Sequence, residues 1–262
     1  MKDTFKKKSK YLILSVVIAL AGFSTQGQST LNLDSAGGFA VLGGSTVTSV
    51  GNTILNGDLG VYPGTTITGF SPGIVNGTTY AGGAAAQQAG SNALSVYNTL
   101  SSETPIQNLS GVDLGTLTLT PGVYSFSSSA QLTGILTLDA QNDPNARFDF
   151  LIGSTLTTAS GASINLINNA EAGNVFWQVG SSATLGTGTS FDGSIVADQS
   201  ITLNTGTSLS GRALALNAAV TLDDNIVTVP TIVPEPNFFW MSVFALLFLA
   251  LGGSWRHRTG RV

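Results

Sequence analysis

The sequence predicts a mainly β protein built as a β-solenoid, a stack of β-coils, with one long α-helix packed along a side. Three observations predict it. Two tandem segments nearly repeat at an offset of 18 residues: Ser182-Ala-Thr-Leu-Gly-Thr-Gly-Thr-Ser-Phe-Asp-Gly-Ser-Ile-Val-Ala197 and Ser200-Ile-Thr-Leu-Asn-Thr-Gly-Thr-Ser-Leu-Ser-Gly-Arg-Ala-Leu-Ala215. Short apolar-alternating runs punctuated by Gly, Asn, Ser and Pro fill the chain from Ser29 to Pro230. A single alanine-rich stretch, Tyr80–Leu100, breaks that pattern.

At the amino end, Lys6, Lys7, Lys8 and Lys10 precede the apolar run Tyr11–Phe23, which gives way to Ser24-Thr-Gln-Gly-Gln28. A basic region, an apolar core and a small-residue cleavage zone read as a secretory signal peptide over residues 1–28. The apolar run is short for a membrane span of about 20 residues. The body, residues 29–230, offers strand candidates at Val47–Val50, Thr53–Leu55, Leu117–Thr120, Val123–Phe126, Ile135–Leu138, Phe148–Ile152, Ile164–Ile167, Val175–Val179, Ile195–Ala197 and Leu214–Leu216. Within Tyr80–Leu100, apolar residues recur at three and four positions, which predicts a helix over about 81–100 that stops before Pro105. Its alanine face suits close packing on a flat sheet.

The repeat carries the architecture. A third, incomplete copy begins at Ala219 with Val220-Thr-Leu222, and a looser relative runs from Ser154 to Leu166. Periods near 20 residues with several strands per circuit indicate a solenoid. Leu185, Phe191 and Ile195 answer to Leu203, Leu209 and Leu214 as inward positions, and alternation turns Thr184 and Thr202 outward. Glycines between them fit corners that need positive φ. An ordinary β-sandwich with threonine-rich strands competes, but it supplies no reason for the corners to repeat.

The carboxyl end reads Val233-Pro-Glu-Pro236, Asn237, an apolar segment from Phe238 to Leu251, then Trp255-Arg-His-Arg258 and Arg261. An apolar run beside a basic cluster is a membrane segment, about 238–254, with its charged end held in the cytoplasm. Residues 231–262 resemble the PEP-CTERM sorting signal of Gram-negative bacteria, with Pro234, Glu235 and Pro236 as its motif. The resemblance implies a precursor transiently anchored in the membrane, cut by an exosortase and released to the cell surface or extracellular matrix. A plain carboxy-terminal anchor is the alternative.

Composition removes most chemistry. The body contains no lysine, histidine or cysteine, and its only cations are Arg147 and Arg212. Two arginines against twelve carboxylates give it a formal charge of −10. Such a body lacks the basic stripe that nucleic-acid binding needs. A secreted chain without cysteine has no disulfides, and about 200 residues suffices for one core of its own. A Ser-His-Asp triad, a cysteine nucleophile and a His-ligated zinc are all excluded within one chain. Asp223-Asp224 and Asp192 with Asp198 are the close acidic sets, and neither has a neighbouring aromatic sugar platform. Calcium through Asp143, Asp149 or Asp192 lacks the Gly-Gly-x-Gly-x-Asp repeat. The expectation is a protein with no enzymatic activity, no metal and no cofactor. Trp177 sits in an apolar strand and is expected in the core, and each arginine is expected to pair with a local aspartate.

Several phrases in order resemble the microbial ice-binding protein family. They are Gly38-Phe-Ala-Val-Leu42, Asn56-Gly-Asp-Leu-Gly-Val61 with Pro63-Gly64, Thr68-Gly-Phe70, Leu119-Thr-Pro-Gly-Val-Tyr124, Asn174-Val-Phe-Trp-Gln-Val179 and Gly211-Arg-Ala-Leu214. The resemblance implies a discontinuous β-solenoid of triangular section over residues 29–230, with a long helix along one face. It also implies that amino- and carboxy-terminal segments interleave in the stack. The implied activity is that of a secreted antifreeze protein: adsorption to ice through a flat Thr/Ser-rich face, inhibiting growth and recrystallisation.

Ice presents water oxygens and no charge, so adsorption must sum many weak contacts on a rigid plane. Threonine suits this: its hydroxyl joins a water network, its methyl group holds neighbouring waters, and its β-branch stiffens χ1. The repeat alignment nominates the row Thr155, Thr184, Thr202 and Thr221. A companion set at the Thr-Gly-Thr-Ser corners is Thr158, Thr187, Thr189, Thr205 and Thr207. Thr118, Thr120 and Thr137 lie in other coils and would extend either row. Ice-binding relatives often carry Thr-Ala/Gly-x-Thr/Asn. Here Thr187-Gly-Thr-Ser190, Thr205-Gly-Thr-Ser208 and Thr158-Ala-Ser-Gly161 depart at the fourth position. The competing reading is a structural or adhesive matrix protein whose hydroxyls and amides contact exopolysaccharide. The expected state is a monomer.

Overall fold

In a computed structural model the structure describes residues 31–230. The expected signal peptide over 1–28, and the sorting motif and membrane segment within 231–262, lie outside the described residues. Among the described residues no helix is long and apolar enough to cross a membrane.

Parallel strands dominate, and successive circuits of the chain add strands to three rows. One row is a separate seven-stranded sheet, here called the threonine row. In spatial order it contains Ala130–Leu132, Leu156–Thr158, Ala183–Leu185, Ile201–Leu203, Val220–Asp223, Thr46–Val50 and Thr66–Thr68. The other two rows form one 15-stranded sheet, because the long strands Ser190–Ala197 and Ser208–Ala215 bend from one row into the other. The first halves of these strands lie in a serine–isoleucine row with Ile135–Asp139, Ser163–Ile167, Ile226–Thr228 and Ile54–Asn56. Their second halves lie in a helix-facing row with Phe148–Ile152, Val175–Val179, Phe39–Gly43 and Asp58–Val61.

Apolar alternation explains the packing. Between the rows, Tyr124, Phe150, Trp177 and Phe191 stack in succession, with ring centroids 5.6, 3.8 and 4.9 Å apart. Trp177 is fully buried, as expected, and its indole N–H donates to Asp192 O at 3.0 Å. Successive circuits thus superimpose aromatic rings whose offset or tilted contacts add to simple burial.

The helix α1 (Gly83–Ser101) matches the predicted span closely. Its buried residues, Ala86, Ala89, Ala93, Val96 and Leu100, follow the three-and-four spacing. They meet Leu42, Phe176, Val196 and Leu214 on the outer side of the helix-facing row. Small alanine side chains allow that close approach. Nineteen residues give a helix about 28 Å long, roughly six inter-strand steps of about 4.8 Å. The helix therefore carries the chain back along the stack.

That return explains how the chain ends meet. The first circuit docks on the last: Thr46–Val50 pairs with Val220–Asp223, and Ile54–Asn56 with Ile226–Thr228. The resemblance implied interleaving; instead the amino-terminal circuits form one block at an end of the stack. A second correction concerns register. Strict 18-residue pairing sets Ile195 opposite Ala213, whereas Leu214 pairs with Val196 and faces the helix rather than answering to Ile195.

Candidate functional site

Alternation along each strand of the threonine row turns every second side chain outward. The register pairs Gln131 with Thr157, Thr157 with Thr184, Thr184 with Thr202, Thr202 with Thr221, Thr221 with Thr48 and Thr48 with Thr68. Six threonines thus stand in one unbroken column, about 4.8 Å apart from strand to strand. They are exposed or half-buried, while their neighbours Leu156, Ala183, Leu185, Ile201, Leu203, Val220, Leu222 and Val47 are buried. Two residues upstream runs a second column. Thr46 pairs with Thr66 there, and Ser129 Oγ and Thr155 Oγ1 lie 2.8 Å apart.

The structure brings together Thr184, Thr202 and Thr221 as the repeat predicted. It moves Thr155 to the second column and puts Thr157 in its place. The cause is Thr158, which occupies the inward position held by Leu185 and Leu203 in later circuits. A hydroxyl at an apolar position misaligned that copy.

The corner set divides. Thr187 and Thr205 are exposed, but Thr158, Thr189 and Thr207 are buried at 4%, 0% and 1% exposure, which removes them from any surface. Strand alternation fails at the corners because Gly188 and Gly206 adopt φ of 66° and 72°. Backbone bonds Thr189 N→Gly186 O (3.1 Å) and Thr207 N→Asn204 O (3.1 Å) close the turns, which rotate the next side chain inward. Thr118 and Thr137 pair with each other in the serine–isoleucine row, continuing through Asn165, so they do not extend the threonine column. Thr120 is exposed just beyond the Thr118–Leu119 strand.

The two uncovered rows differ in their outward chemistry. Among the described residues the hydroxyls of Thr48, Thr68, Thr157, Thr184, Thr202 and Thr221 make no bond to protein. In the serine–isoleucine row, Asn76 Nδ2 donates to Asn56 Oδ1 and Asn56 Nδ2 to Thr228 Oγ1, each at 2.9 Å. That row also carries exposed Ile74, Ile135 and Ile226, and Asp192. Burial raises the Asp192 carboxyl from 3.8 to about 6, against a lowering hydrogen bond from Ser210. A raised folded-state value stabilises below about pH 4, and that contribution disappears as pH rises through 6. The melting temperature of Asp192→Asn, compared with the parent from pH 4 to 7, should lack this decline. Equal slopes would place Asp192 at its ordinary value.

The two arginines and the adjacent Asp223 and Asp224 hold segments of the fold together. Arg147 binds Asp149 at 2.7 Å and Glu103, clasping the end of α1 to the Phe148–Ile152 strand. Among the described residues Arg212 has no aspartate partner, contrary to expectation. Its Nε donates to Gly37 O at 2.8 Å and its NH1 to Ser194 Oγ at 3.1 Å, tying the amino-terminal segment to the sheet. Burial lowers its pKa to about 10. Asp224 adopts φ of 50° and accepts Asn52 N–H, while Asp223 accepts the Thr205 hydroxyl, both turn roles.

Comparison with known proteins gives a consistent result. A sequence model described as Ice-binding-like matches residues 41–228. An ice-binding protein of Nostoc sp. (strain HG1) is 54% identical over 243 residues, covering 88% of this chain and 90% of the relative. The crystal structure of an ice-binding protein from the Antarctic ascomycete Antarctomyces psychrotrophicus superposes with a TM-score of 0.75 at 38% identity, covering 77% of this chain and 99% of that one. Another, of an ice-binding protein from an Antarctic biological consortium, gives 0.75 at 45% identity, covering 78% and 93%.

Proposed function

We propose that this chain, which belongs to the Ice-binding-like family, adsorbs to ice through the outward face of its threonine row and restrains ice growth and recrystallisation. The three rows are read as the walls of a discontinuous β-solenoid of triangular section, one covered by α1. The observation that carries the choice of wall is the column Thr157, Thr184, Thr202, Thr221, Thr48 and Thr68, whose hydroxyls bond no other group among the described residues.

The physical argument runs from geometry to adsorption. Columns repeat at about 4.8 Å across strands and alternate residues at about 6.7 Å along them, so hydroxyls and methyls form a fixed planar array. In this column no hydroxyl bonds its neighbour, unlike Ser129 and Thr155 in the second column (2.8 Å), so each keeps its donor and acceptors for water. Parallel pairing and β-branching hold the side chains before contact, which lowers the ordering cost of binding. The serine–isoleucine wall lacks this regularity, since its amides bond one another and it carries Asp192.

The finer assignments follow from the sequence. Residues 1–28 export the chain, 29–230 form the ice-binding domain, and 231–262 sort it through exosortase machinery to the cell surface. The protein acts as a monomer by adsorption, without catalysis. Purified protein at micromolar concentration is expected to facet growing ice crystals and block their coarsening. Normal coarsening in the presence of folded protein would reject the reading. If the protein is instead retained on the producer's polysaccharide and left behind by a growing ice hemisphere, the matrix reading replaces it.

A further inference from the structure

We infer that a buried chain of hydrogen bonds at the corner after the threonine row is the positioning device that keeps that face flat and evenly spaced, an inference that rests on the ice-adsorption reading above. Its members are Thr158, Thr189, Thr207, Asn225 and Thr53, all with 4% exposure or less. All five are polar side chains at an otherwise apolar corner, yet each bonds a neighbouring circuit.

The bonds run continuously along the stack. Thr158 Oγ1 lies 2.8 Å from Thr189 Oγ1 and accepts Gly186 N–H at 2.8 Å, joining one circuit to the next. Thr189 Oγ1 also reaches back to Ala159 O at 3.2 Å. Thr207 Oγ1 donates to Gly186 O at 2.9 Å, joining the following circuit. Asn225 Nδ2 donates to Asn204 O at 2.9 Å, joining the one after. Thr53 Oγ1 then accepts Asn225 N–H at 3.2 Å, which ties the carboxy-terminal circuit to the amino-terminal one. Five circuits are linked in this way.

The acceptors and donors, Gly186, Ala159 and Asn204, are the residues at which the chain leaves the threonine row. Gly186 lies two residues from Thr184, and Asn204 two from Thr202. Fixing these backbone groups relative to one another fixes how far each outward threonine stands from the next. Apolar contacts alone would not: they are non-directional and tolerate sliding, whereas a hydrogen bond is lost within a fraction of an ångström. A surface that works by simultaneous contact is sensitive to displacements of that size.

The test uses the purified full chain and the isosteric pair Thr189→Val with Thr207→Val, against Thr189→Ser with Thr207→Ser. Folding is followed by circular dichroism, activity by recrystallisation inhibition per folded molecule, and plane preference by crystal shape. The valine variant should fold, need about tenfold more protein for the same inhibition, and yield altered crystal facets. The serine variant keeps the hydroxyls and should restore both. A folded valine variant with parental activity and crystal shape overturns the inference, as does a serine variant as impaired as the valine one. If the valine pair does not fold, Thr207→Val alone, which removes one bond to Gly186, is judged by the same criteria. If that too fails to fold, the corner is a folding element and the inference is wrong. An inactive parent protein overturns the adsorption reading itself, whereas an active parent and an equally active valine variant overturn the positioning role alone.

Discussion

Thr202→Tyr should raise the concentration needed to inhibit recrystallisation by about tenfold or more, equivalent to about 1.4 kcal/mol of adsorption free energy. Thr202 stands inside the column between Thr184 and Thr221, so a protruding ring there lifts the plane of its neighbours from the lattice as well as losing one contact. Its buried neighbours Ile201 and Leu203 are unchanged, so the unfolding free energy should move by no more than a surface substitution allows, about 0.5 kcal/mol. A matched control is Ser210→Tyr, at an exposed outward position of the serine–isoleucine row. Equal loss from both variants would mean that the threonine wall has no special part in adsorption. Loss from Ser210→Tyr alone would move the site to the other wall.

The largest stability effect is expected from Arg147→Met. Asp149 is fully buried and Glu103 mostly so, and Arg147 is the cation between them. Removing one partner of such a buried cluster leaves uncompensated charge and typically costs about 3–5 kcal/mol. For a domain of this size that is about 10 °C in melting temperature. Burial already holds the Asp149 carboxyl at about 7, with Arg147 pulling it down and Glu103 pushing it up. Without Arg147 it must rise further. The sign follows: a raised carboxyl stabilises below its unfolded value of 3.8 and loses that contribution as pH rises through its folded value. The variant should therefore lose more stability at pH 8 than at pH 5. Thermal melts of parent and variant at both pH values decide this, and an equal deficit at both would show that the cluster does not titrate in this range.

Arg147 and Arg212 also mark how far residue-level reading reached. That Arg147 pairs with a local aspartate was legible because its partner Asp149 lies only two residues away. The partners of Arg212 were not, since Gly37 arrives from the opposite end of the chain. The helix was legible in full: alanine spacing is local information, and helix hydrogen bonds close within four residues. Thr184, Thr202 and Thr221 were legible for a related reason, because repeats one circuit apart must stack if the circuits do.

The errors share a physical origin. Thr189 and Thr207 share the repeated Thr-Gly-Thr-Ser corners with exposed Thr187 and Thr205, but the positive-φ glycine between each pair turns the second threonine inward. Thr155 displaced Thr157 because an inward hydroxyl, Thr158, is invisible to an apolar pattern until its partners Thr189 and Gly186 are seen.

Local propensity and periodicity, then, decided the strands, the helix, the corner glycines and the hydroxyl-rich chemistry, since each depends on residues within about one circuit of the chain. Which threonines share a wall depended on docking between distant segments. Thr48 and Thr68 complete the column only because the first circuit pairs with the last. That pairing satisfies an exposed sheet edge with another strand of the same molecule, and no pattern within either segment specifies its partner.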